Sequence, residues 1–265
     1  MENKKGKVIL AGAGPGDPDL ITVRLQKVLA AADVILTDRL VNPAIIELYA
    51  NKHAEVILYG KQGYNDASYS QEDINKLIIQ HAWKGKTVLR LKGGDVAFFS
   101  NILDELVALE QHAIEFEIIP GITAASGASA YTGIPLTARG FSQGVRFLTY
   151  NPNSTYTHQD WKQLGESADT LVYYMSAKSV VGLAELLLRY NKKPHTPLAI
   201  IEQATTPNQK VHLSTLRDCE KDFKQTQFSS PSMVVIGDVV DLHHRFNWRK
   251  IQEEEGSVFS ELVHH

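Results

Sequence analysis

Thr87-Val-Leu-Arg-Leu-Lys-Gly-Gly-Asp95 is the stretch whose reading decides the fold of this chain. Thr87 to Leu91 is apolar and rich in β-formers, bounded before by Gly85, and predicts a strand. Gly93-Gly94 permits backbone angles closed to other residues and lets a ligand approach the main chain. Asp95 sets a carboxylate at the strand's end, where open α/β sheets bind their ligands. An ordinary strand–loop–helix turn would also use Gly-Gly. Downstream, Val96-Ala-Phe-Phe99 is apolar and Ser100 has the chemistry of an N-cap. Asn101-Ile-Leu-Asp-Glu-Leu-Val-Ala-Leu109 carries helical periodicity with acids in its first turn. Backbone amides at such a helix start would face a ligand.

Working outward, the same strand–turn–helix pattern recurs. Lys7-Val-Ile-Leu-Ala11 reads as a buried strand running into Gly12-Ala-Gly-Pro-Gly-Asp17, then a helix over 20–32. This is close to the dinucleotide fingerprint, but the third glycine is one place early and Pro15 stiffens the turn. Asp33–Thr37 and Glu55–Tyr59 are further strands, followed by Asp38-Arg39 and Gly60-Lys61. Asp38, Lys61 and Asp95 therefore each sit just past a strand's end, which suggests one shared site. Ser70-Gln-Glu-Asp73 is a capping-box start, Glu115–Ile119 is another strand, and Thr123–Ala130 is a helix of very small residues. Strands alternating with helices argue for a mainly parallel sheet. Pro135–Gly144 has linker character. Beyond it, strands are expected at 145–149, 170–175, 198–201, 209–213 and 232–236, with a helix over 178–190. A hairpin is expected across Thr205-Thr-Pro-Asn208. Lys250–Glu255 begins a polar tail.

Composition limits the function classes. With 265 residues and 43% hydrophobic content the chain can bury one large core or two modest ones. A net charge of −3 offers no basic field for nucleic acid. Cys219 is the sole cysteine, so no internal disulfide forms, as suits a reducing compartment. Met1–Lys7 is polar and leads into no apolar run of membrane length, so the expected location is cytoplasmic with no membrane partner. No Cys/His spacing points to a metal, and His243-His244 reads as surface.

Taken in order, Gly12-Ala-Gly-Pro-Gly-Asp17, Asp38-Arg-Leu40, Gly60-Lys61, Arg90-Leu-Lys-Gly-Gly-Asp95, Pro120-Gly-Ile-Thr-Ala-Ala-Ser-Gly127 and Gly133-Ile-Pro-Leu-Thr137 resemble the tetrapyrrole methylase family, and within it the uroporphyrinogen-III C-methyltransferases. Tyr174-Met175 and Ser230-Pro231 fit as well, so the resemblance runs from about Lys7 to Trp248. It implies two α/β domains (1–137 and 138–248, with 249–265 as a polar tail), an active site in the interdomain cleft, and a homodimer. It also implies S-adenosylmethionine (SAM) as methyl donor, leaving S-adenosylhomocysteine, and conversion of uroporphyrinogen III to precorrin-2 for sirohaem or cobalamin synthesis. By resemblance Pro15, Gly93, Gly94, Asp95, Phe98, Thr123, Ala124, Met175 and Ala204 surround the cofactor. Asp38 and Lys61 hold the acid–base positions, and Arg139, Asn101 and Asp104 the substrate positions.

The chemistry agrees with those assignments. Glycines let the main chain touch SAM, and Phe98 and Met175 suit an adenine wall. Arg139, Arg146 and Lys92 suit a polycarboxylate substrate. Asp38 is the candidate base for the proton that must be removed after a pyrrole carbon has attacked the methyl, with Lys61 as the complementary acid or charge stabiliser. The departures lie mostly on the substrate side. Family members usually follow Gly-Gly-Asp with Pro-Phe-Ile-Phe-Gly-Arg-Gly-Gly-Glu-Glu; here Asn101 stands for the arginine, Ile102 and Leu103 for the glycines and Asp104 for the first glutamate. Thr37, Asn65, Ala138, Tyr150-Asn-Pro152 and Ala204 are further changes. The expectation is normal cofactor binding with weak or no turnover of uroporphyrinogen III. The alternatives are a methylase of another tetrapyrrole, or a SAM- or tetrapyrrole-binding paralogue with little activity. An NAD-dependent oxidoreductase is opposed by the glycine spacing.

Overall fold

The structure, a computed structural model, describes residues 5–59, 70–153, 155–249 and 256–259. Lys61 and Asn65 lie outside them. One compact unit runs to Ala124 and takes back residues 256–259; the second begins at Ala125.

The first unit alternates strands and helices: β1 (Lys7–Gly12), α1 (Val23–Leu29), β2 (Val34–Asp38), α2 (Pro43–Tyr49), β3 (Glu55–Tyr59), α3 (Gln71–Trp83), β4 (Val88–Lys92), α4 (Leu103–Gln111) and β5 (Glu115–Ile119). All pairings are parallel, in the order β3-β2-β4-β1-β5. Because side chains alternate along a strand, Val8, Leu10, Val34, Leu36 and Val88 face Ile74 and Ile78 of α3 and Leu109 of α4. Ile9, Ala11, Ile35, Leu89 and Leu91 face the opposite way, onto Leu25, Leu29 and Ile45 of α1 and α2. Each such fully buried side chain contributes about 1.5–3 kcal/mol. Helix starts are fixed by their caps: the Thr22 hydroxyl accepts from Leu25 N–H, Asn42 caps α2 ahead of Pro43, and Ser70 and Asp73 form the expected capping box.

The second unit begins one residue into α5 (Ala124–Thr132), continues through the Pro135–Gly144 stretch, and is built on β6 (Val145–Thr149), α6 (His158–Glu166), β7 (Thr170–Tyr174), α7 (Val180–Arg189), β8 (Pro197–Glu202), β9 (Lys210–Thr215), α8 (Cys219–Phe223), β10 (Ser232–Ile236) and α9 (His243–Phe246). Its sheet is mixed, ordered β6-β7-β10-β8-β9, with β6 and β7 parallel and the rest antiparallel. The hairpin across 205–208 is present as β8–β9. Leu171, Tyr173, Leu183, Leu187, Ile200 and Val234 centre the core.

Two elements depart from the sequence expectation. The helix expected from Asn101 begins at Leu103 and has no side-chain cap. Ser100 instead donates its hydroxyl to the Val96 carbonyl, and Asn101 takes φ +52°, which no right-handed helix admits. Helix α6 was not expected, because its sequence His-Gln-Asp-Trp-Lys-Gln-Leu-Gly-Glu is polar and short. Its start is nevertheless written in Thr157-His-Gln-Asp160, a second capping box.

Candidate functional site

The ends of β1, β4 and β5 in the first unit meet at Gly12, Gly94 and Gly121, of which Gly12 and Gly121 admit no side chain. A Cβ on Gly12 would lie 2.5 Å from the Gly94 carbonyl oxygen, and one on Gly121 would lie 2.2 Å from that same oxygen. Gly14 and Gly94 exchange N–H···O bonds of 3.0 and 2.8 Å, bridging the first glycine loop to the Gly93-Gly94 turn. A Cβ on Gly93 would meet Leu40 Cβ and carbonyl oxygen at 2.9 Å, which ties in the loop after β2. Gly94, at φ +68°, is different: a Cβ there would meet only the Ala124 nitrogen at 3.7 Å. The main chain at Gly94 is therefore half-buried, with room for a Cβ-sized group in ordinary contact with the first residue of α5. Pro15 is buried in the first of these loops.

Asp95 is the clasp of this arrangement. Its Oδ2 accepts from Gly121 N–H at 2.8 Å and its Oδ1 from Ala97 N–H at 2.7 Å. Both oxygens serve the backbone, so this carboxylate fixes the β4 and β5 loops against each other. Phe98 follows, 38% exposed. Asn101 and Asp104 are exposed, and Asn101 Nδ2 donates to Asp104 Oδ2 at 3.0 Å.

Alternation along the strands explains a second feature. Arg90 and Lys92 share the Val88 face of β4, and Asp38 shares the Leu36 face of β2, both directed toward α3 and α4. The β2–β4 register sets Leu36 opposite Arg90, and the β2–β3 register sets Asp38 opposite Tyr59. Glu105, one helical turn before Leu109 on α4, enters the same layer. Its Oε1 accepts from Lys92 Nζ at 2.9 Å and from Arg90 Nε at 3.2 Å, with all three residues no more than 5% exposed. The Arg90 guanidinium also lies 4.2 Å from the Tyr59 ring centroid. Burial raises the Asp38 carboxyl above the ordinary aspartate range, against the pull of Arg90, the Leu40 N–H and Lys92. Burial also lowers Arg90 and Lys92, while Glu105 and Asp38 hold both up.

In the second unit Met175 follows β7 at φ +54° and is 70% exposed. The chain is bent around it because the Ser176 hydroxyl donates to the Tyr174 carbonyl at 2.7 Å and accepts from Tyr150 N–H at 2.8 Å. Ala204 is buried between Gln203 (φ +47°) and Thr205 (φ +72°). That bend is clamped by Gln203 N–H to Pro231 O at 2.8 Å and Thr205 N–H to Gln209 Oε1 at 2.7 Å. Left-handed angles at non-glycine residues, least favourable for β-branched Thr205, survive only where neighbours enforce them, and they gather at functional loops. Arg139 is exposed.

The structure thus brings Gly94 and Asp95 together with Ala124, and Asp38 together with Arg90, Lys92 and Glu105. Lys61 lies outside the described residues. Two cations expected to serve substrate are engaged elsewhere: Lys92 with Glu105, and Arg146 with Asp169 at 2.8 Å. Sequence reasoning missed Gly12, Gly121 and Glu105. Two cations on one face of a buried strand signalled that some carboxylate must meet them, but not that it would be Glu105. Among the described residues no cluster of His, Cys, Asp or Glu could hold a metal, and no helix is long and apolar enough to cross a membrane.

The family profile of tetrapyrrole (corrin/porphyrin) methylases matches residues 7–220. A siroheme synthase of Saccharophagus degradans is 41% identical over 247 residues, 93% of this chain and 54% of that protein. A siroheme synthase of Pseudomonas putida is 44% identical over 243 residues, 92% of this chain and 52% of that protein. The chain spans about half the length of these curated relatives. Among solved structures, a cobalt precorrin-4 methyltransferase matches with TM-score 0.79 and 26% identity, over 89% of this chain and 96% of that one. A uroporphyrin-III C-methyltransferase from Thermus thermophilus matches with TM-score 0.75 and 33% identity, over 92% and 98%. A further structure of the Thermus thermophilus enzyme, complexed with S-adenyl homocysteine, matches with TM-score 0.73 and 30% identity, over 89% and 93%.

Proposed function

The chain belongs to the tetrapyrrole (corrin/porphyrin) methylase family, and on that premise we propose that it methylates a ring carbon of a tetrapyrrole with SAM, uroporphyrinogen III being the first substrate to test and precorrin-2 its product. The observation that carries this reading is the glycine junction at the ends of β1, β4 and β5, with a half-buried main chain at Gly94 that has room for a contacting group beside the start of α5. Its shape suits SAM: bare main chain at Gly94 to approach, and helix-start amides around Thr123 and Ala124 to receive a carboxylate. Met175 and Phe98 supply apolar surface for an adenine. When bound, SAM provides an electrophilic methyl.

The chain's own residues would do the rest. As the ring carbon bonds the methyl and the S–CH3 bond breaks to leave S-adenosylhomocysteine, Asp38 takes the proton that the resulting cationic ring loses from its pyrrole nitrogen or an adjacent bridging carbon, and an elevated proton affinity makes it a better base than an ordinary aspartate. Lys61 is assigned the complementary acid role. Arg139 meets a substrate carboxylate through paired donors. Asp95 contributes by holding the loops, through the two backbone bonds it accepts. The proposal includes a homodimer working in the cytoplasm.

A second reading is favoured by one observation. Asn101 and Asp104, at the substrate positions, bond to each other, while Lys92 and Arg146 are already paired. A tetrapyrrole lacking the carboxylate that an arginine at position 101 would hold fits this arrangement better than uroporphyrinogen III. Incubation with uroporphyrinogen III and SAM, with product masses read out, separates the two. Rapid formation of methylated product supports the first reading. Trace product together with normal S-adenosylhomocysteine binding supports the second. Absence of both removes the proposal.

A further inference from the structure

We propose that Lys92 and Arg90, tethered by the buried carboxylate of Glu105, are positioning residues that set how readily Asp38 holds a proton. The inference rests on the reading of Asp38 as the base. Three geometric facts carry it. The strand alternation and the β2–β4 register direct Arg90, Lys92 and Asp38 to one face of the sheet in adjacent strands. A single oxygen, Glu105 Oε1, holds both cations at 2.9 and 3.2 Å, so neither can swing away from that face. Arg90 is pinned further by the Tyr59 ring at 4.2 Å and by its own Nη1 donating to the Leu91 carbonyl at 3.2 Å.

The charge count explains why such a device is needed. Taking a carboxylate out of water disfavours its ionised form. Two unopposed cations beside it would overcorrect and leave a feeble base. Glu105 cancels one of the two, so the layer of Asp38, Arg90, Lys92 and Glu105 is balanced. Arg39, next to Asp38 in the chain, adds a weaker attraction, and Tyr59 pairs opposite Asp38 from β3. Glu105 Oε2 is buried with no hydrogen-bond partner among the described residues, so this carboxylate is held in the layer by its bonds to Arg90 and Lys92.

The test compares Lys92→Met, Glu105→Gln and the conservative Lys92→Arg with the parent. Asp38 is titrated directly by NMR on protein labelled at its aspartate carboxyls, its signal identified by its loss in Asp38→Asn. The pH dependence of methyl transfer is measured alongside. Lys92→Met removes a cation and is expected to raise the Asp38 midpoint by about one pH unit. Glu105→Gln removes a like charge and is expected to lower it, while Lys92→Arg stays at the parent value. A merely structural role would leave the midpoint fixed or move it the same way in both; either result overturns the inference. If Glu105→Gln does not fold, the contrast between Lys92→Met and Lys92→Arg still decides. If the parent methylates no tetrapyrrole, the proposed function fails while the NMR titration still reads the coupling.

Discussion

A carboxylate that must take a proton from a methylated, cationic tetrapyrrole gains from holding that proton more tightly than aspartate in water. Asp38→Asn is expected to cut turnover about a hundredfold to ten-thousandfold while S-adenosylhomocysteine affinity is kept. The same residue carries a stability signature. Its proton affinity is raised on folding, so the stability it contributes is fully present below its unfolded pKa, that of an ordinary aspartate, and is lost as pH rises through the higher folded value. Asp38→Asn should therefore raise the melting temperature at neutral pH, with the gain shrinking toward pH 4, as calorimetric scans across that range would show; a gain that grows on acidification would contradict the assignment. The glycines make a second contrast. Gly121→Ala forces a Cβ to 2.2 Å from the Gly94 carbonyl and should cost about 1–3 kcal/mol or more, whereas Gly94→Ala meets nothing nearer than 3.7 Å and carries mainly the left-handed backbone penalty of about 1 kcal/mol. Both should lose cofactor affinity, but chemical denaturation should show only Gly121→Ala as strongly destabilised. Asp38 and the Gly93-Gly94 pair were legible in the sequence because they follow strong strands. Glu105 was not, since helical spacing alone does not reveal that a glutamate turns inward to meet charges from a distant strand.

At the scale of elements, the proposed function puts the test of substrate choice on the segment between Val96 and Leu103. Asn101 tolerates its left-handed angle better than a longer side chain would, and its bond to Asp104 closes the segment on itself. Grafting Asn101→Arg and Asp104→Glu with glycines at 102 and 103 should increase uroporphyrinogen III turnover about tenfold to a hundredfold, the equivalent of one charge-assisted contact of roughly 1.5–3 kcal/mol. S-adenosylhomocysteine affinity measured by calorimetry should not change. An equally fast parent would show that the departures do not matter. The parallel strands of the first unit were readable because each is a short apolar run closed by glycine or a charged pair. The start of α4 was not, because Ser100 spends its hydroxyl on Val96 rather than on a helix amide. Helix α6 was overlooked because its packing face is carried by Trp161 and Leu164 alone, although Thr157 and Asp160 marked its beginning.

For the whole molecule, the sequence disclosed one parallel sheet and a second strand-rich unit, but not the mixed order of the second sheet. Antiparallel pairing of β10 with both β7 and β8 joins segments far apart in the chain, and no local pattern encodes it. The family match extends over residues 7–220, which takes in the first sheet and all of the second except β10. A ligand bound only by the folded protein at a hundredfold excess over its Kd adds about 2.7 kcal/mol, so S-adenosylhomocysteine should raise the melting temperature by several degrees. Sedimentation at micromolar concentration should show a dimer, and a monomer would remove that part of the proposal. The central claim is methyl transfer to tetrapyrrole carbon, and the most direct measurement is NMR of the tetrapyrrole recovered after incubation with SAM labelled at its methyl carbon. The account predicts a labelled methyl resonance in the range of a methyl on saturated ring carbon, weak with uroporphyrinogen III for the parent and stronger for the graft. Label on an ester oxygen, or no labelled tetrapyrrole from parent and graft alike, would contradict it.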